Sequence, residues 1–404
     1  MIDLARIRDA AEQIEGIALV TPMLHSRFLS DLTGADVWLK AENLQRTGSF
    51  KIRGASNRVR RLSSEEQTRG VVAASAGNHA QGLALAAQSL GVPATICMPV
   101  GASLTKVEST RGYGARIELV GQTFDDSLAR AREISAQEGA VFVSPFDDED
   151  VIAGQGTIGL EILDQVPEPD IVLVPCGGGG LISGTAIAIC SQRSETKIIG
   201  VQAEACAPFV ESLAGGVILT SASAATIADG IAVKRPGEIT FPIVQEFVQR
   251  VVTVDDEQMA AAITLLVERH KLVVEGSGAA GVAALVRGGL GDVTGRRIVI
   301  VLSGGNIDPL LLQGIMRHGL TAAGRYMRFT TRLVDRPGAL REFLDILVAE
   351  RVNIVDMFHH RDGTDLRVTD TAVDITVETK DRMHGERVLE QIRAGGYPAE
   401  RTSI

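Results

Sequence analysis

Four short stretches of the chain hold residue types that carry chemistry, at spacings that could present them to one small ligand. The first is Gly48-Ser49-Phe50-Lys51-Ile52-Arg53-Gly54-Ala55. A lysine becomes an imine-former when a tight, partly apolar site lowers its pKa and aims its amine at a carbonyl. Phe50 offers an apolar wall there, and Gly48 and Gly54 let a flat ligand approach the backbone. The second is Ser75-Ala76-Gly77-Asn78-His79-Ala80-Gln81-Gly82, between a strand pattern and a helix pattern. Main-chain N–H groups at such a helix start suit a carboxylate, and Asn78 can donate to a phenolic oxygen. The third, Pro175-Cys176-Gly177-Gly178-Gly179-Gly180-Leu181-Ile182-Ser183-Gly184, can wrap a phosphate with its N–H groups. The fourth, Leu302-Ser303-Gly304-Gly305-Asn306, offers Ser303 as a neutral hydrogen-bond partner for a ring nitrogen.

Each stretch has a plainer reading. A lone lysine is more often a solvated helix residue, and Ser and Asn are common where helices start. His79 reads better as a satisfied structural histidine than as a base. The glycine run contains no G-x-G-x-x-G register, and Thr185 stands where the lysine of a P-loop would be. It is either a cup for a single phosphate or a tight turn. Ser303 alone marks an ordinary turn.

The elements that must position these residues follow from periodicity. Val71–Ser75, Ala94–Pro99, Arg116–Val120 and Val141–Ser144 read as strands, as do Ile171–Pro175, Lys197–Ala203 and Arg297–Leu302. Helical patterns begin near Asn78, Leu104 and Thr123. Apolar strands alternating with helices predict α/β architecture, with parallel sheets covered on both faces. Gly177 and Gly304 follow strand ends, where open α/β sheets bind ligands. The character then changes. Arg317–Gly324 reads as a linker, followed by strand Tyr326–Val334, helix Pro337–Arg351 and strands Asn353–His360 and Thr371–Thr379. Helix Asp381–Ala394 and strand Glu400–Ile404 complete a β-α-β-β-α-β order, the ferredoxin-like α+β unit. Pro337 and Gly338 are expected to open its first helix.

Composition narrows the function class. The chain has 404 residues, 45% of them hydrophobic, enough for two or three domains with sizeable cores. Aromatic residues make up 4%, Trp38 is the single tryptophan, and the net charge is −10. Neither stacking platforms nor a basic surplus exists for nucleic acid, so none is expected as a partner. The N-terminus begins an amphipathic helix, without an apolar signal core, and no apolar run approaches the roughly 20 residues of a membrane span. Cys97, Cys176, Cys190 and Cys206 lack paired metal-ligand spacing and read as buried thiols. A cytoplasmic protein is expected, with no membrane association and no metal site.

Together the four stretches supply what one cofactor needs. Pyridoxal 5'-phosphate presents an aldehyde, a phenolic oxygen, a phosphate and a pyridine nitrogen. The combination and its order resemble the fold-type-II pyridoxal-phosphate family, specifically the threonine dehydratases (threonine ammonia-lyases). The resemblance runs from Thr21-Pro22-Met23 to Gly305-Asn306. It includes Ala228-Asp229-Gly230-Ile231-Ala232-Val233 and Glu275-Gly276-Ser277-Gly278-Ala279. It implies a tryptophan-synthase-β-like catalytic part over 1–316, with a smaller α/β subdomain inserted at about 50–148. It further implies that Lys51 bonds covalently to the cofactor, beside Phe50, and acts as the catalytic base. Asn78 then contacts the ring hydroxyl, Gly177, Gly178, Gly179, Gly180 and Leu181 hold the phosphate, and Ser303 faces the pyridine nitrogen. Ser75, Ala76, Gly77, Asn78 and His79 receive the carboxylate of an amino-acid substrate, L-threonine or L-serine.

The C-terminal part, 325–404, resembles an ACT domain through Leu333-Val334-Asp335-Arg336-Pro337-Gly338-Ala339-Leu340 and Val352-Asn353-Ile354. That resemblance implies an amino-acid effector, isoleucine or valine, near Asp335, Gly338, Ala339, Leu340 and Asn353, and a homodimer or homotetramer. Three other functions share parts of this pattern. Eukaryotic serine racemases carry a serine where this chain has Ala76; their metal site would use Glu204, but Val210 stands where a carboxylate is expected. A β-hydroxyaspartate dehydratase would differ only in side-chain contacts. A non-catalytic amino-acid sensor on a dead enzyme fold would not need the intact set of cofactor residues.

Overall fold

The computed structural model describes residues 2–361 and 366–402. Among these, the chain divides into two compact units, Met1–Ile307 and Asp308–Ile404.

The first unit contains two sheets. One is a four-stranded parallel sheet in the order Arg116–Leu119, Ala94–Met98, Val71–Ala74, Val141–Phe142. The other has six strands in the order Met23–His25, Asp36–Lys40, Arg297–Val301, Ile171–Pro175, Lys197–Ala203, Arg250–Val254. All its pairs are parallel except that of Met23–His25 with Asp36–Lys40. Every residue of Val71–Ala74 and of Ile171–Pro175 is buried, as continuous apolar runs covered on both faces require. Asp36–Lys40 and Arg250–Val254 carry alternating or charged residues and were not predicted; pairing with Arg297–Val301 and Lys197–Ala203 makes them strands. The helices start where capping chemistry allows. Thr123 and Asp126 form a reciprocal capping box, and Asp148 accepts from the N–H groups of Asp150 and Val151.

The second unit pairs four antiparallel strands in the order Ile354–His360, Asp370–Glu378, Tyr326–Val334, Ala399–Thr402, with helices Ala339–Ala349 and Arg382–Ala394. Period-two burial along Tyr326–Val334 turns Met327, Phe329, Thr331 and Leu333 inward, against Phe343, Leu347, Val388 and Ile392. Two expectations fail here. The supposed linker lies largely within a helix, Pro309–Ala322, because Asp308 caps it, Pro309 suits its first turn, and Gly319 is tolerated in its interior. Pro337 does not open the helix that follows the first strand. Gly338, at φ +93°, caps that helix, which begins at Ala339. The predicted last strand ends at Thr402, and Ser403 and Ile404 lie outside the described residues. The four cysteines are free; Cys190 is half-buried and the other three are buried. No helix among the described residues is long and apolar enough to cross a membrane.

Candidate functional site

Lys51 is the first residue of helix Lys51–Arg60, and a loop from far along the chain fixes its entry. The Phe50 N–H donates to the Ser303 carbonyl at 3.1 Å, and the Gly305 N–H donates to the Gly48 carbonyl at 2.8 Å. Ser49 and Gly304 form an antiparallel bridge between the two segments. Gly48, at φ +69°, makes the turn that this approach needs. The first and fourth stretches are thereby one structure, with Ser303 buried beside the start of the lysine helix. The Lys51 amine donates to the Pro145 carbonyl at 2.7 Å and stands 5.1 Å from the centre of the Phe50 ring. Protein packed around it pushes its pKa down to about 8, with the charge of Glu275 opposing the shift. Lys51 nevertheless keeps an accessible edge, as a reactive amine must.

Beneath the helix, a buried charge cluster ties three segments together. The Arg53 Nε donates to Glu42 at 2.8 Å, and its Nη2 donates to Glu161 at 3.0 Å. Lys40 donates to Glu161, to Gln165 and to the Thr21 carbonyl. Arg53, Glu42 and Lys40 are all buried, so the two cations depend on the two carboxylates.

Pro145 leads on to the glycine run through its neighbour Phe146. A Cβ on Gly178 would lie 2.4 Å from the Phe146 ring, and one on Gly180 would lie 2.9 Å from the Phe146 carbonyl. A Cβ on Gly177 would meet the Gly230 carbonyl at 3.0 Å, and Gly179 sits at φ +99°. Helix Gly180–Cys190 begins here with no side-chain cap, and its first turn leaves N–H groups for an anion. The glycines are required by close packing against Phe146, Gly230 and Thr240, and the uncapped N–H groups are what an anion could use. The segment fits a phosphate cradle.

Asn78 begins helix Asn78–Leu90 at the carboxyl end of strand Val71–Ala74. Its amide has two neighbours: Oδ1 accepts from Asn306 Nδ2 at 2.8 Å, and Nδ2 donates to Glu275 Oε1 at 2.8 Å. One N–H of Asn78 remains for a further acceptor. Upstream, Ser75 Oγ accepts from the Gly77 N–H at 3.2 Å, and a Cβ on Gly77 would point into open space. Ala76 follows Ser75 in that open turn. His79 is buried, and its Nε2 donates to the Val143 carbonyl at 3.0 Å. Burial and the nearby Lys51 push its pKa down to about 3, so it stays neutral and structural.

Pro145, Phe146 and Glu275 were missed as site residues by sequence reasoning. Glu275 lay in the quoted Glu275-Gly276-Ser277-Gly278-Ala279 stretch, and its signal is its place just before a helix, where a short capping side chain is usual. Its carboxyl does not cap that helix. Burial pushes its pKa up, opposed by hydrogen bonds from Ser277 and Asn78.

The second unit has its own concavity, a cavity of about 280 Å³ lined by residues 333–340 with His359, Arg361 and Thr371. It brings together Asp335, Gly338, Ala339 and Leu340. Asn353 is not part of its lining. The amide of Asn353 donates instead to Glu378 at 3.0 Å, which pulls it toward the neighbouring strand.

Residues 14–304 match the family model described as pyridoxal-phosphate dependent enzyme. The chain is 47% identical over 397 residues to an L-threonine ammonia-lyase of Thermotoga maritima, covering 98% of each protein. Among solved structures it is similar to the processed form of threonine deaminase isoform 2 from Solanum lycopersicum. There the TM-score is 0.75, with 38% identity over 78% of this chain and 87% of that one. It is also similar to maize serine racemase, with TM-score 0.75 and 36% identity over 80% of this chain and 98% of that one.

Proposed function

The chain belongs to the family of pyridoxal-phosphate-dependent enzymes, and from that premise we propose that it dehydrates and deaminates L-threonine to 2-oxobutanoate and ammonia, and L-serine to pyruvate. When bound, pyridoxal phosphate supplies an electron sink that makes the substrate Cα–H acidic. Lys51 would anchor it, Asn78 would meet its phenolic oxygen, Gly177–Leu181 would take its phosphate and Ser303 would face its ring nitrogen. With cofactor and substrate in place, the free Lys51 Nζ would take the proton from the substrate Cα. An amine whose pKa is pushed down to about 8 is suited to that task near neutral pH. The N–H groups of the Ser75–His79 turn receive the substrate carboxylate. Ser303, a neutral partner, would not hold a proton on the ring nitrogen as a carboxylate would, which would disfavour transamination.

The observation that carries this reading is the convergence of four distant segments on Lys51. Phe50 bonds to Ser303, Lys51 to Pro145, Phe146 packs on the glycine run, and Asn78 is tied to Asn306 beside Ser303. Elimination is favoured over racemisation because a racemase must also move a proton on the opposite face of Cα. The methyl of Ala76, in the turn where the racemases carry a serine, cannot do that. We further propose that the C-terminal unit binds isoleucine or valine in its cavity and biases catalysis by favouring one subunit arrangement over another. Exposed Ile354, Met357 and Phe358 on its edge strand support a homo-oligomer. A cytoplasmic location suits an acidic metabolic enzyme.

The test is steady-state turnover of L-threonine and L-serine, with and without isoleucine and valine, and with chiral chromatography of the serine reactions. Formation of 2-oxobutanoate and pyruvate is expected, with little D-serine. D-serine appearing as fast as pyruvate would replace this reading with the racemase.

A further inference from the structure

Glu275 stands immediately before helix Gly276–Val286, yet its carboxyl is not used as a helix cap. It is turned into the site, where Oε1 accepts from Asn78 Nδ2 at 2.8 Å and from Ser277 Oγ at 3.0 Å. These bonds end a directed chain. The Thr47 carbonyl accepts from Asn306 Nδ2 at 2.7 Å, the same Nδ2 donates to Asn78 Oδ1, and Asn78 Nδ2 donates to Glu275. A carboxamide alone has no preferred direction, since a half-turn exchanges its oxygen and nitrogen. Here both ends are acceptors. The Thr47 carbonyl forces the nitrogen of Asn306 to face inward, and Glu275 Oε1, which already accepts from Ser277 Oγ, takes the nitrogen of Asn78. Only one orientation of Asn78 satisfies both, and it leaves one Nδ2–H for a ligand.

Three glycines from separate segments make room for the chain. A Cβ on Gly304 would lie 2.6 Å from Glu275 Oε1 and 3.2 Å from Asn78 Nδ2. One on Gly230 would lie 2.5 Å from Ser277 Oγ, and one on Gly48 would lie 2.3 Å from Asn306 Oδ1. Excluding side chains from three approaches is unnecessary for a solvated glutamate. Lys51, Lys106 and Asp229 are the charged groups whose fields reach Glu275 or are reached by it.

We propose that Glu275 is a positioning residue that, with Asn306, locks the Asn78 amide so that its remaining N–H is presented to the phenolic oxygen of the cofactor. The proposal rests on the reading of the site as a pyridoxal-phosphate site. The accepting oxygen of Glu275 matters beyond its size, because together with the Thr47 carbonyl at the other end it sets the direction of the amide.

The test uses the purified holoenzyme and reads its visible absorption spectrum and the retention of cofactor on dialysis. Glu275→Gln keeps the size of the side chain but can present either end of an amide to Asn78. Loss of one well-oriented hydrogen bond to the cofactor should weaken its retention about tenfold. The absorption maximum should shift as the donor to the phenolic oxygen is lost. Asn306→Asp places an acceptor opposite Asn78 Oδ1 from the other end, and should shift the spectrum in the same direction. Circular dichroism checks that both variants are folded. A wild-type spectrum in folded Glu275→Gln overturns the proposal, as does a shift in one variant without the other. A wild-type protein without a cofactor band overturns the underlying reading instead, which separates the two failures.

Discussion

The two units build their concavities in opposite ways. In the N-terminal unit, the residues around Lys51 come from five segments: 48–51, 75–79, 145–146, 177–181 and 303–306. Hydrogen bonds between segments, a buried charge cluster and glycines packed against foreign backbone hold them together. In the C-terminal unit, one segment supplies most of the cavity, 333–340, and His359 and Thr371 from the next two strands, with Arg361 just beyond the first of them, complete it. The contrast separates two tasks. Positioning an amine, an amide and an anion cradle for bond-breaking needs convergent, cross-braced groups. Binding a small molecule can rest on the backbone shape of a single turn.

The largest expected effect lies at the amine itself. Lys51→Ala should abolish the cofactor absorbance band and lower threonine turnover by more than the roughly 10²–10⁴-fold due to a general base alone. The same residue is both anchor and base. Near-normal turnover would remove Lys51 from the centre of the convergent site.

The bracing comes next. Arg53→Ala would leave Glu42 and Glu161 without their guanidinium in a buried setting. Breaking such a pair costs about 3–5 kcal/mol, so the urea midpoint should fall markedly while the C-terminal unit keeps its own transition. An unchanged midpoint would mean that packing alone holds the lysine helix, and the contrast between the units would weaken.

The smallest effect is expected where the cavity depends on a single turn. Gly338 has φ +93°, and no neighbour lies within 4 Å of an added Cβ, so Gly338→Ala introduces backbone strain without a clash. About 1–2 kcal/mol of local stability should be lost, read as faster amide exchange confined to the C-terminal unit. Calorimetric binding of isoleucine or valine should weaken with it. Faster exchange at Lys51–Arg60 as well would show that the turn is not a local device.

Much of this was legible beforehand, for physical reasons that differ by residue. Ile171–Pro175 was placed from sequence because a strand buried on both faces leaves an unbroken apolar run, and Lys197–Ala203 because its run is largely apolar. Asp36–Lys40 was not, since its short mixed pattern becomes a strand only between Met23–His25 and Arg297–Val301. Helix Pro309–Ala322 was hidden by its glycines, although Asp308 and Pro309 carried the start signal. Lys51, Asn78, the glycine run and Ser303 stood out through their neighbours' types. Pro145 contributes a backbone carbonyl and Phe146 a packing surface, neither of which leaves a mark in residue type.

The sequence by itself determined the strand-helix alternation, the change to a ferredoxin-like unit and the inventory of chemical groups. Apolar periodicity and turn-forming residues act over a few positions, so they can be read locally. Only the tertiary structure decided which groups meet and in what state. The fall of the Lys51 pKa to about 8 depends on the protein that surrounds it, and the rise at Glu275 depends on its burial, against the hydrogen bonds from Ser277 and Asn78. The direction of the Asn78 amide depends on Asn306 and Glu275, which are 228 and 197 residues away in the chain. Desolvation and hydrogen-bond direction are set by neighbours in space, and no local pattern carries them.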